Sequence, residues 1–518
     1  MSNWTRGPSV LLFLCRSSCQ KRTPRRSYGQ NLTTSGVRVA AHAHLDDDLR
    51  LSDLGAERTR RMAGRLTTEN QSAKKQSMES QPVDAITTIN RLAGSDPDKV
   101  ALRHGVDELS YEALRSRSDA LASTLREQGA RGAVVGYWGG RDLDWATAVI
   151  AILKAGSTYL PLDPSLPACR TSFMIEQSRC ALLMGRDRPY SLSLFQESTK
   201  AAPQFVPIEA ALGRLHTSSV MPSPNVDGLA YILFTSGSTG QPKGAMIERA
   251  GLNNHLAAKI DALSLTRTDC VAQTASHCFD ISLWQLLSGL CVGASTSIID
   301  DATLRSPSSL LQEIQRCGAT VFQLVPSMLA VFVEYLQSLA AAERAMDGLR
   351  IISTVGEPLT PGLARAWLAL YPRVSILNHY GPTECADGVT HHLVSVPPAL
   401  AEPYVPIGRS IQNVEVYVAD GPRLCNVGEV GEIFVSGVGV AAGYVNDHVR
   451  TKDAFGPNPF SNDLSFRRLY RTGDLGRLRT DGLLECLGRR DRQVKIRGHR
   501  IELGEILTLS RRFLVNAV

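Results

Sequence analysis

Phe234-Thr-Ser-Gly-Ser-Thr-Gly-Gln-Pro-Lys-Gly244 is the stretch on which the reading of this chain turns. Eleven residues hold four hydroxyl side chains, three glycines and one lysine. Glycines such as Gly237 and Gly240 let backbone N–H groups crowd an anion. The hydroxyls of Thr235, Ser236, Ser238 and Thr239 donate to oxygens, and Lys243 adds a mobile positive charge. The apolar run Leu229-Ala-Tyr-Ile-Leu-Phe234 reads as a buried strand feeding this loop. The combination suits a nucleoside triphosphate. It is not the Walker pattern, because the glycine spacing before Lys243 and the Ser/Thr after it are absent. Taken alone, such a run also describes an ordinary loop, so the rest of the chain has to decide.

The chain has 518 residues, enough for two or more domains with sizeable cores. Hydrophobic content of 43% and charged content of 20% are ordinary for a globular protein. No apolar run reaches the ~18 residues of a spanning helix, so no membrane partner is expected. The net charge of +6 is unevenly distributed. Residues 1–77 carry 14 Lys/Arg and 6 Asp/Glu, a net of +8, which leaves −2 for the remainder. With its basic excess on a tail, the folded part offers no face for nucleic acid. The 11 cysteines form no CxxC pair, which fits free thiols in a reducing compartment.

Residues 1–77 lack a sustained hydrophobic period and read as a disordered basic tail. Seven Lys/Arg precede the first acidic residue, Asp46. That pattern suits a transit segment as well as a translation start that truly lies at Met78. A cytoplasmic location is expected, or a mitochondrial one if the tail is a transit peptide. From Met78 the chain alternates strands and helices. An amphipathic helix opens at Leu109 and runs to Gln128, with Leu114, Ala120, Leu121 and Leu125 on one face. Strands are expected at 133–137, 181–184, 321–325 and 349–353, and a helix at 143–155. Such alternation argues α/β sheets covered by helices. After about Val394 short β-rich runs, among them 414–418 and 432–435, suit a small barrel-like unit.

Several segments then line up in one order. They are Leu153–Pro164, the Thr235–Gly244 loop, Phe279-Asp-Ile-Ser282, Asn378-His-Tyr-Gly-Pro-Thr-Glu384, Tyr470-Arg-Thr-Gly-Asp-Leu475 and Gly488–Glu505. Together they resemble the adenylate-forming superfamily, most closely the amino-acid adenylation domains of nonribosomal peptide synthetases, over roughly Leu109 to Glu505. The resemblance implies an α/β large subdomain of two sheets plus a small β-barrel over 78–490, and the start of a small α+β subdomain over 491–518. It implies ATP-dependent formation of an aminoacyl-AMP with release of pyrophosphate, using Mg²⁺, for loading a peptidyl-carrier protein. An anionic carboxylate must approach an anionic triphosphate, so such chemistry needs cations and oriented donors rather than a covalent nucleophile.

The resemblance also implies roles. Thr235, Ser236, Gly237, Ser238, Thr239, Gly240 and Lys243 would hold the β- and γ-phosphates. Asn378 would bond the adenine edge, Tyr380 would stack on its ring, Thr383 would donate to the α-phosphate, and Glu384 would ligate Mg²⁺. Asp474 would accept from the ribose hydroxyls, and Arg489 would lie near ribose and phosphate. Asp491 would be the hinge, with Lys495 in the segment that the rotating subdomain presents. Asp280 would pair with the substrate α-ammonium, which favours an amino acid over fatty or aryl acids. Read on its own, an aspartate opening an apolar helix is equally a cap. The side-chain pocket would comprise Ile281, Trp284, Gln323, Ser353, Val355, His379, Asp387 and Gly388. An ionised Asp387 there needs a partner, so a polar substrate is expected, with a cationic one favoured.

The chain departs from the family near its end. Relatives continue well past Val518 to a lysine loop that reaches the substrate carboxylate, so a truncated and weakened enzyme is expected. Two rivals stay open: an acyl-CoA ligase of the same superfamily, and a nucleotide-binding module without turnover.

Overall fold

Several strands of this protein are apolar on both faces, and that dictates where they lie. Thr158–Leu162, Leu182–Gly185, Cys270–Gln273 and Ile351–Thr354 are buried along their whole length. Strands of that kind belong to parallel sheets covered on both sides. The computed structural model describes residues 84–189, 202–213, 228–237, 241–491, 493–496 and 499–502. The chain divides into two units, 1–77 and 78–518. The first unit, with the tail and transit-segment readings attached to it, lies outside the described residues.

The first sheet has six strands, in the order Gln204–Pro207, Leu182–Gly185, Val134–Trp138, Thr158–Leu162, Leu229–Thr235 and Lys243–Glu248. All neighbours are parallel except the last pair. The second sheet has nine strands. Its parallel centre runs Ser375–Tyr380, Ile351–Thr354, Val321–Gln323, Cys270–Gln273, Ser295–Ile298 and Val100–His104. Antiparallel strands close both edges. Helices Leu143–Lys154 and Ile281–Cys291 are buried almost all round. Both belong to one continuous core, which also takes Val135 and Tyr159 from the first sheet and Val271 and Val321 from the second.

The third sheet is antiparallel, with six strands over 414–489. Its core of Val418, Ile433, Val435 and Tyr470 is shared with Tyr380 and Val389 at the edge of the second sheet. The small barrel expected here is an open sheet: among the described residues no ladder joins its outer strands. A hairpin of Gln493–Ile496 and His499–Glu502 follows.

Most expected elements lie within two residues of their observed bounds. The helix expected from Leu109 begins at Tyr111 instead. Asp107–Ser110 forms an edge strand, and the Ser110 side chain caps the helix by accepting from the Ala113 N–H at 3.2 Å. The nine described cysteines are unbridged, and no described helix is long and apolar enough to cross a membrane.

Candidate active site

The hydroxyl-rich stretch is a hairpin loop rather than a strand-to-helix loop. Thr235 ends one strand, Lys243 begins the next, and the two are paired across the ladder. The Arg450 guanidinium donates to the carbonyls of Gln241 (3.2 Å) and Pro242 (3.4 Å) and so ties down the returning arm. Gly237 sits on this loop, while Ser238, Thr239 and Gly240 lie outside the described residues.

A cavity of about 330 Å³ opens beside the loop. Thr235, Ser236, Asp280, Ile281, Val355, Thr383, Asp387, Asp474 and Arg489 all line it. Residues spread over more than 250 positions therefore share one cleft, brought there by all three sheets.

Lys243 and Glu384 do not line this cavity. They pair with each other at 2.9 Å. The Tyr444 hydroxyl donates to the same Glu384 oxygen at 2.8 Å and accepts from the Lys243 ammonium at 2.9 Å. Glu384 is fully buried, so this triangle compensates its charge. As a hard carboxylate donor Glu384 suits Mg²⁺. It is available to a metal once the Lys243 ammonium turns to another anion.

At the other end, both Asp474 oxygens are engaged. Oδ2 accepts from the Tyr380 hydroxyl at 2.5 Å, and Oδ1 accepts from Arg489 at 2.8 Å. A carboxylate has about four lone-pair sites, so Asp474 retains acceptor capacity. Arg489 also grips Asp491 through two bonds of 2.7 and 2.6 Å. Tyr380 is buried in the core of the third sheet and does not line the cavity. Asn378 is likewise turned inward. Its amide donates to Pro406 O at 2.9 Å, and its carbonyl oxygen accepts from Thr354 at 3.3 Å.

Asp280 caps the helix Ile281–Cys291, accepting from the Ile281 N–H at 3.0 Å, and it faces the cavity as well. The two readings of this residue are compatible. Its carboxyl also takes a hydrogen bond from Thr383. Burial, reinforced by the Asp387 carboxylate nearby, pushes its pKa up to about 7.

Asp387 comes from a tight turn. Ala386 and Asp387 both have left-handed φ, +58° and +74°. A Cβ at Gly381 would lie 1.6 Å from the Asp387 carbonyl oxygen, so only glycine fits there. The Asp387 carboxylate lies 3.1 Å from His255 Nε2 and 3.9 Å from His379 Nε2. Lys259 is fully buried, 4.9 Å above the Trp284 ring. Its Nζ has no hydrogen-bond partner among the described residues, and burial lowers its pKa to about 7. Burial also holds His379 neutral, well below the ordinary histidine value. Gly388 lets this cluster close: a Cβ there would sit 3.1 Å from His379, 3.3 Å from His255 and 3.4 Å from His391. Ser353 bonds His379 Nδ1 at 3.1 Å. Gln323 and Trp284 are buried, and Gln323 Oε1 and Trp284 Nε1 also lack hydrogen-bond partners among the described residues.

Sequence reasoning missed Tyr444, Arg450, His255 and Lys259. The last two sit four apart in helix Arg249–Ala262, on one face. A histidine and a lysine at that spacing in a mostly buried helix were a usable signal. Tyr444 and Arg450 carried none.

A hydroxyl-and-lysine hairpin, an acceptor-rich carboxylate and a buried aspartate around one cleft define the class of AMP-forming ligases. The AMP-binding enzyme family matches residues 89–445, and the chain belongs to that family, within the adenylation domains of nonribosomal peptide synthetases. Zwittermicin A synthase ZmaJ of Bacillus cereus is 35% identical over 416 residues, covering 79% of this chain and 77% of that protein. Bacitracin synthase 3 of Bacillus licheniformis is 36% identical over 430 residues, and the match spans 81% of this chain but only 6% of that much longer protein. A solved nonribosomal peptide synthetase protein containing adenylation and PCP domains, bound to a vinylsulfonamide inhibitor, superposes with a TM-score of 0.72. It is 27% identical over 83% of this chain and 72% of that one. An artificially fused adenylation–PCP di-domain from Klebsiella oxytoca, 24% identical with a TM-score of 0.73 and 84% coverage of each chain, shares the fold.

Proposed function

We propose that this chain activates a polar amino acid: ATP and the amino acid give aminoacyl-AMP and pyrophosphate, and a peptidyl-carrier protein receives the acyl group. The observation that carries the reading is the single cavity lined by Thr235, Ser236, Asp280, Thr383, Asp474 and Arg489. A carboxylate oxygen attacks the α-phosphorus, the bond to the bridging oxygen breaks, and pyrophosphate leaves with the electron pair.

In this reading Asp280 holds the substrate α-ammonium. A cation beside it offsets the burial and like-charge cost that raises its pKa. Thr235 and Ser236 donate to the outer phosphates, and Thr383 to the α-phosphate. Lys243 leaves Glu384 for the phosphates, which trades one buried ion pair for another. Mg²⁺, when bound, would be held by Glu384 and would neutralise phosphate charge. Asp474 accepts from the ribose, and Arg489 holds that carboxylate in place through its 2.8 Å bond. Tyr380 and Asn378, both turned from the cavity, serve the nucleotide indirectly: Tyr380 orients Asp474, and Asn378 ties its strand to the Pro406 carbonyl. Asp491 is the hinge for the hairpin that follows.

For the side chain, the surroundings of Asp387 favour an uncharged polar substrate over a cationic one. Asp387 already has the His255 ring at 3.1 Å and the charge of the buried Lys259 acting on it. Gln323 Oε1 and Lys259 Nζ, buried behind the cavity lining without hydrogen-bond partners among the described residues, leave a donor and an acceptor for a polar side chain that reaches past it.

Amino-acid-dependent exchange of labelled pyrophosphate into ATP, scanned over the twenty amino acids, tests this. Exchange peaking with a polar amino acid is expected. A peak with leucine or phenylalanine overturns the pocket reading. Calorimetric ATP binding with no exchange for any amino acid points to a binding module, and turnover with CoA and a simple acid to an acyl-CoA ligase.

A further inference from the structure

The cavity wall carries a second set of reactive groups that adenylation does not use. Asp163, His277 and Cys278 each bring one ligand-type atom within 4.8 Å of the other two. Asp163 follows the buried strand Thr158–Leu162 of the first sheet. His277 and Cys278 lie between strand Cys270–Gln273 and helix Ile281–Cys291 of the second layer. Asp163 and Cys278 both face the cavity.

His277 supplies an independent observation. It is only 3% exposed, with its ring 6.4 Å from Tyr137 and 6.3 Å from Trp145. The ring hydrogen-bonds the Leu162 backbone, yet Nε2 is enclosed without a hydrogen-bond partner among the described residues. Buried side-chain nitrogens are nearly always satisfied. A bare, buried ring nitrogen is the donor a metal takes, and a backbone bond is one of the partners that orient metal-ligating histidines.

We propose that Asp163, His277 and Cys278 form a binding site for a divalent transition metal of the Zn²⁺ class, built into the wall of the substrate cavity. One sulfur, one nitrogen and one oxygen donor are a poor match for Mg²⁺ or Ca²⁺, which take oxygen ligands, and a good match for Zn²⁺. Three protein ligands leave a fourth position for water or a ligand. An imidazole ligates such a metal in its neutral form. The Cys278 thiol, pushed up to about 12 by burial, gives its proton to solvent as the metal–sulfur bond forms. Cys278 stands two residues before Asp280, so the metal would also fasten the loop that presents the ammonium-binding carboxylate.

Titration of the full chain with Co²⁺ tests the site without reference to turnover. A thiolate-to-cobalt charge-transfer band is expected. It should disappear in Cys278→Ser, weaken in His277→Ala, and bleach when Zn²⁺ is added. Zn²⁺ affinity in Asp163→Asn should fall at least ~10–100-fold, the loss that even an outer-shell partner causes. A wild-type chain with no such band, or a band of equal strength in Cys278→Ser, overturns the proposal. Should the variants lose their circular-dichroism signature, alkylation of Cys278 in the wild-type chain decides. Zn²⁺ should slow labelling of that peptide, and equal labelling with and without the metal rejects the site.

Discussion

The Asp280 carboxyl costs the fold stability wherever it is ionised. A buried carboxyl whose pKa rises from 3.8 to about 7 binds more protons in the folded than in the unfolded chain between those values. Its stabilising contribution is therefore full below pH 4 and lost as pH rises through 7. Asp280→Asn keeps the shape and the helix cap but removes that penalty. The variant should be more stable than wild type at pH 8, by on the order of a few kcal/mol, and no more stable at pH 4. Urea midpoints at the two pH values read this directly. Its amino-acid-dependent pyrophosphate exchange should drop by ~10²-fold or more, the scale set by losing one charged partner at a transition state. In the wild type the apparent amino-acid affinity should climb about tenfold per unit below pH 7 and level off above it, as Asp280 ionises. An affinity flat from pH 5.5 to 8 would show that another group holds the ammonium.

The turn Gly381–Gly388 concentrates strain where the pocket needs accuracy. Two consecutive non-glycine residues in the left-handed region cost about 1–3 kcal/mol each, and Gly381 passes against the Asp387 carbonyl with no room for a methyl group. Gly381→Ala should destabilise the chain by at least ~1–3 kcal/mol and swing Asp387 out of the cavity. The measurements are denaturant unfolding together with pyrophosphate exchange, and wild-type values in both would show that the turn relaxes freely. This turn also marks how far the sequence could be read. Strands such as Leu182–Gly185 and helices such as Leu143–Lys154 were legible because apolar runs are local signals. The convergence of Thr235, Asp280, Thr383 and Asp474 followed from motif order. Local signals could not tell that Asn378 and Tyr380 turn inward, that Lys243 rests on Glu384, or that Asp387 already has Lys259 and His255 beside it. Those contacts join residues far apart in the chain, and only the packing of sheets decides them. The open third sheet was missed for the same reason, since closure depends on which edge strands meet.

The cleft belongs to no single sheet. Thr235 comes from the first, Asp280 and Thr383 from the layer around the second, and Asp474 and Arg489 from the third. A ligand spanning it should therefore stabilise the fold from Met78 onward as one unit. A non-hydrolysable aminoacyl-adenylate analogue at a hundred times its Kd should add about 2.7 kcal/mol, which appears as a rise of several degrees in Tm. Asp474 joins the third sheet to Tyr380 of the second through one short bond and to Arg489 through another. Asp474→Asn keeps the shape and one acceptor but loses the charge that Arg489 balances and the second acceptor for the ribose. Its basal Tm should fall modestly, by the equivalent of ~1–3 kcal/mol for a weakened charged bond, while most of the ligand-induced rise should disappear. The two effects separate in one thermal-shift series with and without the analogue. An Asp474→Asn protein that melts lower yet gains as many degrees from the analogue as the wild type would mean that this carboxylate only fastens the sheets together, and that the ribose is held elsewhere.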